Sequence, residues 1–375
     1  MNDTPDNDFS SNSIRLSPRE WLVAIGVFVI IVVTTPALWR HAETLQTDAD
    51  YRVPYPLSND YWVYEGHLQQ LPAGAIPLVG DSVVWGEFVS RDGTLSHFLS
   101  EQTDHSFVNA GVNGLYPLAL EGLIEHHGGG IWKRKVLLHC NLLWMSSPER
   151  DLQVPKEQFF NHPQLIPQFS VRIPSYHADT ETRLARATEI RIPFLTWINH
   201  LQEVDFGQQS IPHWTVAQAE DNPDSYPNSY ANPVAQIRMT VPGEPADDPD
   251  RSTNSPRHKP WSGSLQSLDW VPLKSSLQWK AFQRLVHQLQ ARSNDVYVVV
   301  GPLNQHKLTA ANRGRFLKLK NDAAAWLEKH NIQHWVADTL PSRLYADASH
   351  PLTQGYRELA GKLTERTSFK DWMTR

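Results

Sequence analysis

The sequence predicts an α/β protein, a parallel sheet covered by helices on both faces, preceded by one membrane-spanning helix. Three observations carry this reading. Short apolar runs, each long enough for one buried strand, alternate along the chain with segments whose apolar residues recur at helical spacing. Residues suited to chemistry fall at the C-terminal ends of those runs, where parallel sheets place their sites. A 19-residue stretch without a charge, Trp21 to Trp39, stands near the N-terminus.

Residues 1–20 are polar and rich in Asn, Asp and Ser, and they read as a disordered tail. Residues 21–39 follow, apolar without a break from Trp21 to Val33 and bounded by tryptophan at both ends. At ~1.5 Å per residue such a helix nearly spans a ~30 Å hydrocarbon core. It reads as a transmembrane signal anchor. A cleaved signal peptide is the second reading, with Arg15 and Arg19 as its basic region, but the polar lead is long and no small-x-small site follows Val33. Arg15 and Arg19 before the helix balance Arg40 and Arg52 after it, so charge alone does not orient it. The expectation is a single-pass membrane protein with its N-terminus inside and residues 71–375 extracytoplasmic, periplasmic or at the cell surface. Residues 40–70 read as a juxtamembrane linker.

The globular part begins with a strand at Ile76–Val79, a helix at Thr94–Glu101 and a strand at Phe107–Asn109. A helix over Pro117–His127 stops at Gly128-Gly129-Gly130. Val136 to Asn141 is a third strand. Trp279, Phe282, Leu285, Val286 and Leu289 mark the face of an amphipathic helix, and Val296–Val300 is a buried strand. A helix over about Ala310–His330, a strand at His334–Val336 and a helix on Tyr356, Leu359, Ala360 and Leu363, with Thr353 as its cap, complete the pattern.

An insertion at about 146–275 interrupts it and is too long for an ordinary connection. It holds a predicted helix around Thr180–Gln202 and then a stretch from about Gly207 to Gly263 dense in Pro, Asn, Asp and Ser, of which Asp221–Pro260 is expected to lack regular structure. It reads equally as a lid that selects substrate or as surface decoration.

Composition narrows the function. A net charge of -6 without a basic stripe argues against nucleic acid. The single cysteine, Cys140, excludes an internal disulfide and sits on a predicted buried strand. No Cys/His metal spacing, glycine-rich phosphate loop or internal repeat is present, so neither metal nor cofactor is expected. The 14 tryptophans suit sugar-stacking surfaces or core and membrane-interface packing.

The chemistry centres on Gly80-Asp81-Ser82, at the exit of the first strand. The same tripeptide also describes a strand end followed by turn and capping residues, so the serine needs partners. A serine hydroxyl is a weak nucleophile until a base takes its proton, and a third group must hold that base in the right tautomer. Asp347-Ala348-Ser349-His350-Pro351 offers both, with Pro351 biasing His350 away from helix and into a loop. An oxyanion site follows from Asn109-Ala110-Gly111-Val112-Asn113-Gly114, a strand ending in a glycine turn, and from Asn141 at the end of the third strand. The Gly111 N–H, the Asn141 side chain and the Ser82 N–H are then candidate donors to a tetrahedral intermediate. Asn304 and His306, on the loop after Gly301-Pro302, are candidate substrate-binding residues.

Taken together, Gly80-Asp81-Ser82, Gly111 in its glycine turn, Asn141, and Asp347 with His350 resemble the blocks of the GDSL/SGNH hydrolase superfamily, in order between residues 76 and 363. The third block departs: His139-Cys140-Asn141-Leu142 stands where the family has Gly-x-Asn-Asp. The resemblance implies that 71–375 is an SGNH-like domain, a flavodoxin-like α/β/α three-layer sandwich on a five-stranded parallel sheet. It implies Ser82 as nucleophile, His350 as base, Asp347 as its orienting carboxylate, and Ser82, Gly111 and Asn141 as the oxyanion hole. The expected activity is serine-dependent hydrolysis or transfer of acyl groups, esterase or O-acyltransferase, on an acyl ester or a cell-envelope carbohydrate. A non-catalytic, membrane-tethered binding or assembly protein on the same fold is the alternative.

Overall fold

The computed structural model describes residues 16–159, 161–206, 237–244 and 259–375. Most of the predicted disordered tail, and all of the predicted irregular stretch 221–260 except 237–244 and 259–260, lie outside them. The chain divides into two compact units, residues 1–43 and 44–375.

The described part of the first unit is built on helix α1 (Pro18–Ala42). It starts in a capping box: the Glu20 N–H donates to Ser17 Oγ (3.4 Å) and the Ser17 N–H to Glu20 Oε2 (2.7 Å). Pro18 at the first helical position needs no donor there. Capping therefore extends the helix beyond the predicted 21–39, and Arg40 and His41 suit its C-terminal dipole. Within its 25 residues an 18-residue stretch reaches a mean hydropathy of 2.5, so the helix is long and apolar enough to cross a membrane.

The second unit carries a five-stranded parallel sheet. Its strands are β1 (Ile76–Gly80), β2 (Phe107–Gly111), β3 (Lys135–Cys140), β4 (Asp295–Val300) and β5 (Gln333–Val336), in the spatial order β2-β1-β3-β4-β5. All five match predicted strands to within one or two residues. Pro77 is tolerated in central β1 because it stands at the start of the strand, before pairing with β3 begins at Leu78.

Successive side chains of a strand point to opposite faces, and a separate core fills each face. Val79, Val136, Leu138, Val296 and Val298 pack with Leu120, Leu123, Phe282, Leu285 and Phe316. Leu78, Leu137, Tyr297, Val299 and Trp335 pack with Phe98, Leu99, Leu359, Phe369 and Trp372. The helices supplying these residues are α4 (Leu95–Gln102), α5 (Pro117–His127), α8 (Leu277–Ala291), α9 (Ala310–Lys329), α10 (Thr353–Thr364) and α11 (Thr367–Thr374), and all but α11 are legible in the sequence. Thr353, expected to cap α10, is instead its first residue, and Leu352 holds the cap position without a side-chain bond.

Three segments differ from expectation. The predicted linker 40–70 carries α2 (Tyr61–Gln69), whose Trp62, Val63, Tyr64 and Leu68 are buried, so residues 44–70 belong to the second unit. Ser82 opens a single-turn helix, α3 (Ser82–Trp85), rather than a plain loop. The predicted helix 180–202 is two, α6 (Thr180–Glu189) and α7 (Pro193–Val204), because Pro193 clashes with a continuing helix and starts a new one. The insertion is tied down near its start and again at residues 240–241. Asp151 accepts from the Leu277 and Gln278 N–H groups at the start of α8 (2.9 and 3.1 Å), and Thr44–Leu45 pairs in parallel with Thr240–Val241.

Candidate active site

The site forms at the C-terminal edge of the sheet, where Gly80 and Gly111 are register partners. Asp81 caps α3 through its Oδ1, which accepts from the Val83 N–H (3.0 Å), and this presents Ser82 at the first helical position. Gly86 ends the helix in the left-handed region (φ 85°), a conformation suited to glycine. Gly111 is required for a different reason, since a Cβ there would stand 2.5 Å from the Trp85 nitrogen.

Across the chain, His350 lies on a short loop closed by the Ala346 N–H donating to His350 O (2.9 Å) and by a bridge between Tyr345 and Pro351. Asp347 Oδ1 accepts from the backbone N–H groups of Ser349 and His350, both at 2.8 Å. Its other oxygen, Oδ2, lies 2.8 Å from His350 Nδ1. An ionised carboxylate only accepts, so Nδ1 carries a proton and the neutral ring presents a bare Nε2. That nitrogen is 2.8 Å from Ser82 Oγ, although the two residues are 268 apart in sequence. The arrangement can take a proton from the serine hydroxyl onto the histidine while the aspartate holds the tautomer.

Electrostatics follow from the contacts. Burial works to lower the pKa of His350, but the carboxylates of Asp347, Glu87 and Asp81 override it and the net shift is upward. Burial works to raise Asp347, and His350 with the two backbone N–H groups holds it below the usual carboxylate range. Asp81 behaves likewise: burial pushes it up, and its hydrogen bonds and nearby His139 and His350 bring it below that range. Its Oδ2 accepts from Asn141 Nδ2 (2.9 Å) and Trp144 Nε1 (3.0 Å). His139 Nε2 donates to Gly301 O (3.0 Å), which turns Nδ1 toward Asp81 Oδ1 at 3.4 Å.

Ser82, Asp347 and His350 are therefore brought together. The other predicted residues are close in the fold but bonded elsewhere. The Gly111 N–H donates to Asn109 Oδ1 (3.0 Å). The Asn141 amide donates to Asp81, with Ser349 Oγ at 3.4 Å, and its oxygen accepts from the Leu143 N–H. Asn304 is buried, its N–H donating to Ala348 O (2.8 Å) and its amide lying 3.4 Å from Ser342 Oγ. His306 Nε2 lies 3.3 Å from Leu340 O. These bonds tie the 301–308 loop to the loop bearing His350.

Sequence reasoning missed Glu87, whose Oε2 is 3.4 Å from His350 Nε2, and Phe88, whose ring meets the imidazole edge-on at 5.1 Å between centroids. It also gave no role to His139 or Trp144. Glu87 stands five residues after Ser82, just past the glycine that ends α3, but nothing in the sequence separates it from the other acidic residues. No family model matches the chain, and no curated protein matches it.

Proposed function

We propose that this chain is a serine-dependent esterase or O-acyltransferase of the SGNH type, anchored to a membrane by α1 and acting outside it. The observation that carries the reading is the unbroken line Asp347–His350–Ser82, with both side-chain hydrogen bonds at 2.8 Å. His350 takes the Ser82 proton as the serine oxygen bonds to an acyl carbonyl, and the imidazolium then protonates the departing alcohol. Water or a carbohydrate hydroxyl, deprotonated by the same nitrogen, releases the acyl group. Water makes an esterase and a hydroxyl acceptor makes a transferase. The strand order β2-β1-β3-β4-β5 with cores on both faces supports the flavodoxin-like three-layer reading of the fold.

One observation favours the alternative, a tethered binding or assembly protein without turnover. The Gly111 N–H and the Asn141 amide, two of the three expected oxyanion donors, are bonded to Asn109 and Asp81. A fluorophosphonate probe separates the two readings. The proposed enzyme labels at Ser82, and both Ser82→Ala and His350→Ala abolish labelling. A folded wild-type chain that neither labels nor cleaves an aryl acetate refutes the enzyme, and one that labels yet passes acyl groups only to carbohydrate is a transferase. An alkaline-phosphatase fusion at the C-terminus is expected to be active only when exported; activity confined to the cytoplasm overturns the orientation.

A further inference from the structure

The loop after α3 brings a second carboxylate to the histidine. Glu87 Oε2 stands 3.4 Å from His350 Nε2, the nitrogen that also faces Ser82 Oγ. Asp347 holds the opposite nitrogen, so the imidazole lies between two carboxylates. That side chain is about one-third exposed, and the backbone that carries it is held by a buried arginine behind the loop.

Arg52 is 1% exposed. Its Nη1 donates to Trp85 O (2.7 Å) and Gly86 O (2.8 Å), its Nη2 to Val89 O (3.2 Å) and Glu244 Oε1 (3.0 Å), and its Nε to Glu244 Oε2 (2.6 Å). A guanidinium has five N–H donors, and all five are used. The same group lies 3.9 Å from the centroid of the Trp85 ring. The carbonyls it holds flank Glu87 and Phe88 on both sides, so the two side chains that meet the imidazole project from a pinned backbone. Arg52 comes from the segment before α2 and Glu244 from the insertion, so both take part in fixing the site.

We propose that Glu87 is a positioning residue for His350, held in place by the Arg52–Glu244 pair, and that its charge stabilises the imidazolium formed when Ser82 gives up its proton. The catalytic half of this rests on His350 acting as the base. In that step the Ser82 O–H bond breaks, the Nε2–H bond forms and the serine oxygen bonds to the acyl carbon. Glu87 takes no proton and remains a carboxylate. The charged groups around His350 are Asp347 on its own loop, Glu87 after α3 and Asp81 at the end of β1, with Arg52 behind the Glu87 loop. Removing Glu87 leaves two of the three carboxylates that oppose burial, so the imidazole is expected to lose its proton at lower pH.

The test is an NMR titration of 13Cε1-histidine in the full chain in detergent micelles, with His350 assigned by its absence in His350→Ala. The His350 midpoint moves to lower pH in Glu87→Gln, moves less in Glu87→Asp, and moves the same way in Arg52→Lys, whose ammonium cannot fill five acceptor positions. An unchanged midpoint in a folded Glu87→Gln chain overturns the proposal. Fluorophosphonate labelling adds a second readout: in Glu87→Gln the acid limb of the rate shifts with the midpoint, and the plateau falls by about two- to fivefold, the range for a partly exposed charge pair. A wild-type chain whose midpoint depends on Glu87 but which never labels overturns the catalytic half and leaves only the pairing.

Discussion

Replacing Arg52 by Met tests how the site is held together, independently of any activity. The substitution keeps the apolar stem and removes the guanidinium, leaving the Glu244 carboxylate buried without its partner and three carbonyls, those of Trp85, Gly86 and Val89, without their Arg52 donors. Breaking a buried ion pair from one side costs about 3–5 kcal/mol. The Trp85 carbonyl keeps Asn109 Nδ2 at 3.4 Å, and each of the other two adds about 1 kcal/mol where water cannot reach it. A loss of roughly 5–7 kcal/mol is therefore expected, comparable to the whole stability of many domains. Urea unfolding of the full chain in detergent, followed by tryptophan fluorescence, reads it. Arg52→Met/Glu244→Leu removes the stranded charge but not the orphaned carbonyls, and recovers the larger part of the loss. A single variant within about 1 kcal/mol of wild type would refute the reasoning, since no buried charge could then have been stranded.

Asp347→Asn keeps an oxygen for the Ser349 and His350 N–H groups but sets an amide against Nδ1, favouring the tautomer with its proton on Nε2; ester turnover is expected to fall about 10⁴-fold, whereas a loss under tenfold would remove Asp347 from its role. Asp81 and Asp347 both titrate below their ordinary range in the fold, so their stabilisation is present above that range and is lost as pH falls through the depressed values. His350 is raised, so its contribution is complete below its ordinary value and disappears as pH rises through the folded one. Urea midpoints measured against pH should show both limbs, and Asp81→Asn should flatten the acid one. Gly122→Ala would set a Cβ 1.9 Å from Leu165 O, between α5 and the insertion; a loss of about 1–3 kcal/mol is expected from such overpacking, and an unchanged unfolding midpoint would show that the two segments are not packed as described.

Much of this fold is written locally. Unbroken apolar runs such as Val296–Val300 can be read as buried strands because both faces of a parallel sheet are covered. Pro117 and the glycines after His127 bound α5 because their backbone preferences act within a turn. Trp21–Trp39 could be read as a membrane-length helix, with only its capped ends missed. The linker expected at 40–70 was misjudged for the opposite reason. The helix of Tyr61–Gln69 shows solvent only the narrow stripe of Glu65 and Gln69, too little for periodicity to reveal, and its burial depends on neighbours contributed by distant segments.

The sequence by itself determined the strands, most of the helices and the residue types able to form a serine–histidine–aspartate line, because each depends on spacing within a few residues. Only the tertiary structure decided that Ser82 and His350 meet at 2.8 Å, that the Gly111 N–H and the Asn141 amide are bonded inward, and that Glu87 stands at the histidine with Arg52 behind it. Apart from the local Gly111–Asn109 bond, those contacts join residues 33 to 268 positions apart, as in the reach from Arg52 to Trp85 and from Ser82 to His350. Hydrogen bonds are satisfied by whichever partner the packed chain brings within about 3 Å, and sequence spacing carries no record of that choice.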